Sequence, residues 1–391
     1  MNTAGLPAPT DPNQQASIPD SQSLTTATEP SRMAVVGTSL SQHAKNLTKH
    51  IAGRLGTVEQ KWVPIEERLQ KNPNTPLEHT RQLTQLVRKH GVPEYLRSRF
   101  WLNVTGTAAR ISSAAGMYWL LVNKYKDKHK KLMEEAAADD AAGKNHSKAV
   151  AIVIQIDKDV QRTIVNGDTS QNSEGKEALR RILVTYSFFN ISVGYCQAMH
   201  KIAALFLDRF TEEETFWLLS STVDNIIPRD YFSESMLGVH TDIDTFNALA
   251  HNLLPRLMIQ FDTTGVMVDV FLSKWMMSLF IGSMQPAVAN RVLDLIFYDG
   301  SYMLFQVILG MLKTLEIEIA RATAAANAAG EVVEGLDPGS LMLRLQTMPE
   351  TISESQFYQV VFSVDIPPKD QVESLRKAFR AKREREAAGS D

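Results

Sequence analysis

From Gly91 onward, large apolar residues recur mostly at the spacing of an α-helix, and this periodicity limits the fold more than any other feature of the sequence. A clear case begins at Thr211, a favourable N-cap that precedes an acidic first turn. Phe216, Leu219 and Val223 then follow on one helical face. Because the alternation typical of half-buried strands is scarce, we predict an all-α fold.

The same spacing predicts further helices at 179–189, 241–254, 268–281, 287–297 and 301–318. The β-branched run at 150–156 fits a strand as well as a buried helix, so its conformation stays open. Two segments interrupt the pattern. The first, 134–148, is rich in Ala and Asp, and the second, 320–340, is rich in Ala and Gly; both are predicted to be solvated insertions or loops.

The two ends of the chain differ in composition from its centre. Residues 1–45 hold few large apolar side chains among many Pro, Ser, Thr, Gln and Ala, so they are predicted to be a disordered tail. Near the other end, 369–386 carries seven basic and four acidic residues, with Val372, Leu375 and Phe379 on one helical face. We predict a basic helix, solvated or coiled by default and alternatively in contact with an anionic membrane or an effector.

Composition argues against several classes of protein. Hydrophobic residues make up 44% of the 391 residues, which is enough for a sizeable core, and 41 basic against 44 acidic residues give a net charge of −3. Nucleic acid is therefore not expected as the main partner, because phosphate backbones are bound through clustered Lys and Arg. The lone Cys196 excludes an internal disulfide and favours a reducing compartment.

The most apolar long stretch, 266–284, contains Asp269 and Lys274. Since each charge near mid-bilayer costs roughly 2.5–3.5 kcal/mol, a buried helix is a better interpretation than a membrane span. Residues 1–15 also lack the basic flank and apolar run of a secretory signal. We expect a cytoplasmic protein, with peripheral association with endomembranes as an open alternative.

Common nucleotide-binding and hydrolase motifs are missing from the sequence. It contains no G-x-x-x-x-G-K-[ST], G-x-G-x-x-G, H-E-x-x-H or G-x-S-x-G pattern, so the chain is not expected to hold nucleotide phosphates in a standard loop. Cys196 and His200 are four residues apart and could form a thiolate and imidazole pair. Without an orienting carboxylate in the sequence around them, we prefer a buried cysteine, and no metal site is expected.

Three stretches in fixed order carry the functional signal: 91–101, 156–163 and 179–199. The second reads Ile156-x-x-Asp159-x-x-Arg162, and the third includes Gly194-Tyr195-Cys196-Gln197-Ala198-Met199. Weaker blocks follow at 214–219, 230–232, 254–255, 275–280 and 294–305. Over roughly residues 88–320, this order of blocks resembles the TBC domain family, the Rab GTPase-activating proteins, as a diverged member.

The resemblance implies a TBC-type helical fold, with two helical subdomains, over residues 88–365. A helical or linker lead-in at 46–87 would precede it, and the basic helix or tail at 366–391 would follow. The implied partner is a Rab-type small GTPase in the GTP state. Because the GTP and Mg²⁺ would belong to that GTPase, the chain is expected to need no cofactor of its own.

Residue by residue, the resemblance makes Arg162 an arginine finger and Gln197 a glutamine finger. An arginine supplied in trans is worth on the order of 10³–10⁵ in the rate of GTP hydrolysis. A carboxamide can accept a hydrogen bond from the attacking water while it donates another. Asp159 would orient Arg162, and Tyr195 would pack beside the finger loop. Ile156 and Arg97 complete the implied set as supporting residues.

The sequence also departs from the family pattern at five positions. Ile164 and Val165 replace an aromatic residue and a proline, Ile191 replaces a proline, and Ala198 and Ser98 replace glycines. Both fingers are kept, so an active Rab GTPase activator is our leading interpretation. The alternative is a weak or inactive TBC-fold scaffold, in which Arg162 is only a surface arginine paired with Asp159 and Gln197 only a polar turn residue.

Overall fold

A computed structural model describes residues 58–165, 167, 173–329 and 336–389. The predicted tail at 1–45 and the first part of the 46–87 lead-in lie outside these residues. The described residues belong to one compact unit, and the division into two helical subdomains stays a prediction. No strand occurs in the described ranges, where the extended pairing is limited to isolated bridges such as the one between Ile281 and Met284. The predicted all-α fold is therefore confirmed.

The helices are α1 (Val63–Lys71), α2 (Arg81–His90), α3 (Glu94–Val104), α4 (Thr107–Ser113), α5 (Met117–Ala142), α6 (Lys148–Gln161), α7 (Glu174–Phe189), α8 (Met199–Leu207), α9 (Glu212–Ser221), α10 (Leu237–Leu253), α11 (Pro255–Thr264), α12 (Asp269–Met277), α13 (Pro286–Asp299), α14 (Met303–Ala328), α15 (Pro338–Thr351), α16 (Phe357–Val361) and α17 (Lys369–Ala388). Short 3₁₀ turns occupy Glu59–Trp62 and Arg229–Tyr231, and a π turn occupies Thr222–Ile226.

The open question at 150–156 resolves as a helix. The segment lies inside α6, where Val150, Val153 and Ile156 are fully buried at three-residue intervals. Helix α9 also begins as expected, since Thr211 and Glu214 form a reciprocal capping box at its N-terminus. Local signals and burial agree in both places.

Two predicted loops are wrong in part. Residues 134–142 continue α5 and residues 320–328 continue α14, so each long helix extends well into the Ala-rich segment. Alanine has the highest intrinsic helix propensity, so these segments can stay helical. Because alanine is only weakly apolar, it adds little to the hydrophobic periodicity, and the continuation of each helix could not be detected from that pattern. Gly143, in the left-handed conformation at φ 62°, ends α5.

The predicted helix at 268–281 ends early, at Met277. Leu279 and Phe280 both have positive φ, 50° and 65°, and the chain turns there. The turn stacks Phe280 on Trp275 with ring centroids 6.0 Å apart, so burial of the two rings accompanies the break.

No helix in the described part of the chain is long and apolar enough to cross a membrane.

The predicted basic helix at 369–386 is present as α17, but it packs on α10 rather than being solvated on all sides. Val372 and Arg376 are buried, and Arg376 forms a bidentate pair with Asp242 at 2.7 and 2.8 Å. Arg383 pairs with Asp244 at 2.5 Å. Much of the positive charge of this helix is therefore neutralised by acidic residues of the same chain.

Candidate functional site

A buried carboxylate, Asp159, organises the C-terminal end of α6. Its Oδ1 accepts a hydrogen bond from Gln155 Nε2 at 3.1 Å and lies 2.6 Å from Arg162 Nη2. Its Oδ2 accepts a hydrogen bond from the Tyr195 hydroxyl at 2.6 Å. Because Asp159 has no exposure to solvent, these donors replace the water that an ionised carboxylate needs.

Arg162 is the C-cap residue directly after α6, and the helix geometry explains its placement. Asp159 lies three residues earlier on the same helix, so its carboxylate can reach the guanidinium. A cation at a helix C-terminus is also favoured by the helix dipole. The Arg162 side chain is 53% exposed even though its partner is buried. It is thus held at one edge and accessible at the other.

Gln197 lies in the connection between α7 and α8 and is exposed. Gly194 adopts φ 66°, and a Cβ there would lie 3.4 Å from Ile152 of α6, so the loop passes close to that helix. Tyr195, two residues before Gln197, fixes the loop through its bond to Asp159. The residue implied as the second finger is thereby connected to the carboxylate that holds the first.

His200 completes this buried cluster. Its Nδ1 lies 3.3 Å from the Tyr195 hydroxyl and 3.6 Å from Asp159 Oδ2. Burial lowers the pKa of His200 below its usual 6.5, although Asp159 acts in the opposite direction. Burial and the neighbouring Asp159 raise the pKa of Tyr195, so its hydroxyl stays a donor.

The alternative of a reactive cysteine gains no support. Burial raises the pKa of the Cys196 thiol, which disfavours the thiolate. His200 is directed at Tyr195 and Asp159 instead. Among the residues that the structure describes, no cluster of three or more His, Cys, Asp or Glu could hold a metal ion.

Two of the predicted supporting residues lie outside the cluster around Asp159. Ile156 is fully buried in the core of the helical unit. Arg97 is buried on α3, where its Nε donates to Asp294 Oδ1 at 3.1 Å and its Nη2 donates to the Val92 carbonyl at 2.8 Å. Trp101 donates to the same Asp294 oxygen at 2.8 Å. Arg97 therefore joins α3 to α13 and supports the fold.

Sequence reasoning missed a second carboxylate that holds the loop. Asp224 accepts hydrogen bonds from the Tyr186 hydroxyl at 2.8 Å, from Asn190 Nδ2 at 2.7 Å and from Ser220 Oγ at 2.6 Å. Asn190 begins the loop that leads to Gln197. The carboxylate belongs to a π turn 34 residues away from Asn190, so no local pattern could have indicated the contact.

The surface around the two implied fingers is partly apolar and partly polar. Ile164 and Ile191 are 60% and 79% exposed, which is unusual for isoleucine. Beside the Gln197 loop lies a cavity of about 640 Å³, lined by Arg110, Asn190, Ser192, Val193, Asp224, Asn225, Asp230 and Ser233. A concave polar surface next to exposed apolar residues is suited to contact with another protein.

Comparison with known proteins gives one consistent family. A model of the family described as the Rab-GTPase-TBC domain matches residues 94–320. TBC1 domain family member 2B of Xenopus tropicalis is 32% identical over 61% of this chain and 24% of its own length. Small G protein signaling modulator 3 of Rattus norvegicus is 26% identical over 65% of this chain and 32% of its own length. The chain thus spans about a quarter to a third of these relatives.

Growth hormone-regulated TBC protein 1 of Homo sapiens is 29% identical over 70% of this chain and 75% of its own length. Among solved structures, the Chlamydomonas flagellar RabGAP TBC domain is 26% identical, with a TM-score of 0.59 over 78% of this chain and 92% of that one. The Ypt/Rab-GAP domain of Gyp1p, at 16% identity, shares the fold with a TM-score of 0.57 over 83% of this chain and 99% of that one.

Proposed function

This chain belongs to the Rab-GTPase-TBC domain family, and we therefore propose that it activates a Rab-type small GTPase by inserting Arg162 and Gln197 beside that partner's GTP. The observation that supports the proposal most is the state of Arg162. Its side chain is half exposed at a helix end, while the buried Asp159 fixes one edge of its guanidinium. A positioned arginine that still has free donors is what phosphoryl stabilisation in trans requires.

The chemistry assigns different tasks to the two side chains. The Arg162 guanidinium is always charged and offers a planar fork of donors to the phosphoryl oxygens, on which charge is spread in the transition state. The Gln197 amide can align the attacking water, because it accepts and donates hydrogen bonds at the same time. Anchors at Asn190 and Tyr195 on the same loop limit the positions that Gln197 samples.

The partner would be recognised in its GTP form and would bring GTP and Mg²⁺ with it, so this chain itself would hold no cofactor. Ile164 and Ile191 would contact its surface, since both are exposed and both lie close to the fingers in sequence. We further propose that the protein acts in the cytoplasm, at trafficking membranes. The suggested membrane or effector contact through 369–386 has less support, because Arg376, Arg380 and Arg383 are paired with acidic residues of this chain.

A hydrolysis screen tests the proposal. Purified protein is mixed with a panel of GTP-loaded Rabs, and phosphate release is followed in a single turnover. With a responsive Rab, Arg162→Ala should reduce the acceleration by at least about tenfold and up to about 10³-fold. Gln197→Ala should reduce it too, because the water loses its alignment. Arg385→Ala, which removes an exposed arginine from α17, is the matched control and should leave the rate unchanged.

Full acceleration by the Arg162→Ala protein would show that the arginine assignment is wrong. If no Rab in the panel responds to the wild-type protein but one binds it in the GTP state, the second candidate, a non-catalytic TBC-fold scaffold, is favoured. The replacement of glycine by Ala198 gives that candidate little support. Ala198 has φ −66° and ψ −24°, an ordinary helical conformation that does not require glycine.

A further inference from the structure

The first half of α5 exposes large apolar side chains to water. Met117, Trp119 and Leu120 are 43%, 45% and 65% exposed, and all three lie in the first turn of the helix. The same helix buries Tyr118 and Leu132 on its opposite side, so it is firmly packed and its outer face is a fixed surface. A tryptophan and a leucine together on such a face indicate a contact surface.

Lysines follow immediately on that outer face. Five exposed lysines, Lys124, Lys126, Lys128, Lys130 and Lys131, lie within eight residues, with only one acidic residue, Asp127, among them. Leu120, Lys124, Asp127 and Lys131 form one row at helical spacing, and Trp119, Asn123, Lys126 and Lys130 form the neighbouring row. The apolar and basic side chains therefore share one surface, which we call the α5 surface (117–131).

The charge on this surface is largely unpaired. Lys130 reaches Glu134 only at 3.9 Å, and the Lys128 ammonium lies 4.3 Å from the Phe188 ring centroid. In the described part of the chain, Lys126 and Lys131 take part in no ion pair. The arginines of α17 differ, since Arg376 and Arg383 are paired with buried or half-buried aspartates. A chain with net charge −3 thus carries a local cluster of largely unpaired positive charge on the first half of α5.

We propose that the α5 surface binds the surface of an anionic lipid bilayer. Trp119 and Leu120 would enter the boundary between headgroups and acyl chains, and the lysines would lie among the anionic headgroups. The second half of α5 carries Glu134, Glu135, Asp139 and Asp140, which such a membrane repels. Contact is therefore confined to the first half of the helix, with the acidic end raised from the membrane.

The test uses the full chain and co-sedimentation with vesicles of phosphatidylcholine alone or mixed with phosphatidylserine. We expect binding to the mixed vesicles only, weakening as salt is raised because exposed charges are screened. Lys126→Gln with Lys131→Gln should weaken binding by about tenfold or more, and Trp119→Ala with Leu120→Ala by a similar factor. The charge-matched control, Lys377→Gln with Lys382→Gln on α17, should leave binding unchanged, and thermal unfolding should confirm that every variant is folded.

Several results would overturn the proposal. These are no binding to the mixed vesicles, equal binding to phosphatidylcholine alone, or a loss in the α17 control as large as in the α5 variants. A GTPase assay without vesicles tests the alternative, that the α5 surface binds the partner GTPase. If the folded lysine variant loses acceleration there, the α5 surface docks the GTPase and not a membrane. The vesicle measurement needs no GTPase, so it stands or fails independently of the proposed activity.

Discussion

Tyr195 connects the two implied fingers, because its hydroxyl donates to the carboxylate that holds Arg162 while its backbone leads to Gln197. Tyr195→Phe removes this donor and leaves Asp159 buried with one partner fewer. We expect the free energy of unfolding to fall by about 1–3 kcal/mol, as is usual for a lost hydrogen bond to a charged group. Urea denaturation measures the change. Tyr125→Phe, a tyrosine outside this cluster, is the control.

The proposed acceleration of GTP hydrolysis should also fall in Tyr195→Phe, measured at a temperature at which the variant is folded. Freed from one donor, the Asp159 carboxylate holds the guanidinium less firmly, and the arginine loses some of its positioning. An unchanged unfolding free energy together with an unchanged rate would show that the hydroxyl is not needed to hold Asp159.

His200 gives the cluster a pH dependence of defined sign. Its pKa in the folded protein lies below 6.5, so between the two values the unfolded chain binds a proton that the folded chain does not. Stability from this group is therefore present above about pH 6.5 and is lost as the pH falls through the lowered folded pKa. Denaturation midpoints recorded from about pH 7.5 to 5 should decline.

His200→Gln should reduce that decline without abolishing it, because burial also lowers the pKa of His90 and His129. If the substituted protein showed the same loss of stability with falling pH as the wild type, His200 would not be the titrating group. The comparison needs no GTPase and can be made on the purified chain.

The part of this site that could be predicted from the sequence is the part that is local. Asp159 and Arg162 share a helix at a three-residue interval, so their pairing follows from helix geometry. Asp224 holds Asn190 from another element, and His200, which the sequence offered only as a possible partner of Cys196, lies against Asp159 of α6. Helix periodicity does not indicate either contact. Arg97 belonged to the right block of sequence but proved to bind Asp294, a contact across 197 residues.

Helix α14 passes unusually close to α16 at Gly310. A Cβ added there would lie 2.4 Å from the Val360 carbonyl oxygen and 2.7 Å from that of Val361, and both are backbone atoms that cannot move aside easily. Gln306, one turn earlier, donates to the carbonyls of Val361 and Val364 at 2.7 and 2.8 Å. The two helices are therefore joined at backbone distance.

Gly310→Ala should destabilise the protein by about 1–3 kcal/mol through overpacking, even though alanine favours a helix by about 1 kcal/mol. Thermal unfolding gives the comparison. The control is Gly339→Ala on α15, where the nearest atom is the Asp337 side chain at 3.2 Å and a much smaller effect is expected. Equal stability of Gly310→Ala and wild type would mean that α16 can move away from α14.

Periodicity predicted the helices best where one face is buried, and least well where a helix leaves the core. The exposed second halves of α5 and α14 carry few large apolar residues, so their pattern resembles that of a loop. The early end of α12 has a different cause. It depends on positive φ at Leu279 and Phe280. Positive φ is usually found at glycine, so these two residues gave no sign of the turn in the sequence.

Helix α17 packs on α10, which lies in the middle of the chain. Arg376 of α17 and Asp242 of α10 form a buried pair, and the Tyr231 hydroxyl also donates to Asp242. Removing the arginine leaves a buried carboxylate without its cation. We expect Arg376→Met to cost about 3–5 kcal/mol, and the double variant with Asp242→Leu to recover part of that loss.

Urea denaturation of the two single variants and the double variant measures the coupling between these residues. Losses that simply add would contradict a direct interaction between Arg376 and Asp242. Asp244→Asn, which weakens the half-exposed pair with Arg383, is the comparison and should cost far less.

The same pair sets an order of events during synthesis. Asp242 and Arg376 are 134 residues apart, and at about 5–20 residues per second the ribosome needs roughly 7–27 s to make the intervening chain. During that interval Asp242 of α10 has no paired arginine, and α17 is not yet present to pack on α10. We therefore expect the nascent protein to be more prone to aggregation and proteolysis until α17 has emerged and packed on α10.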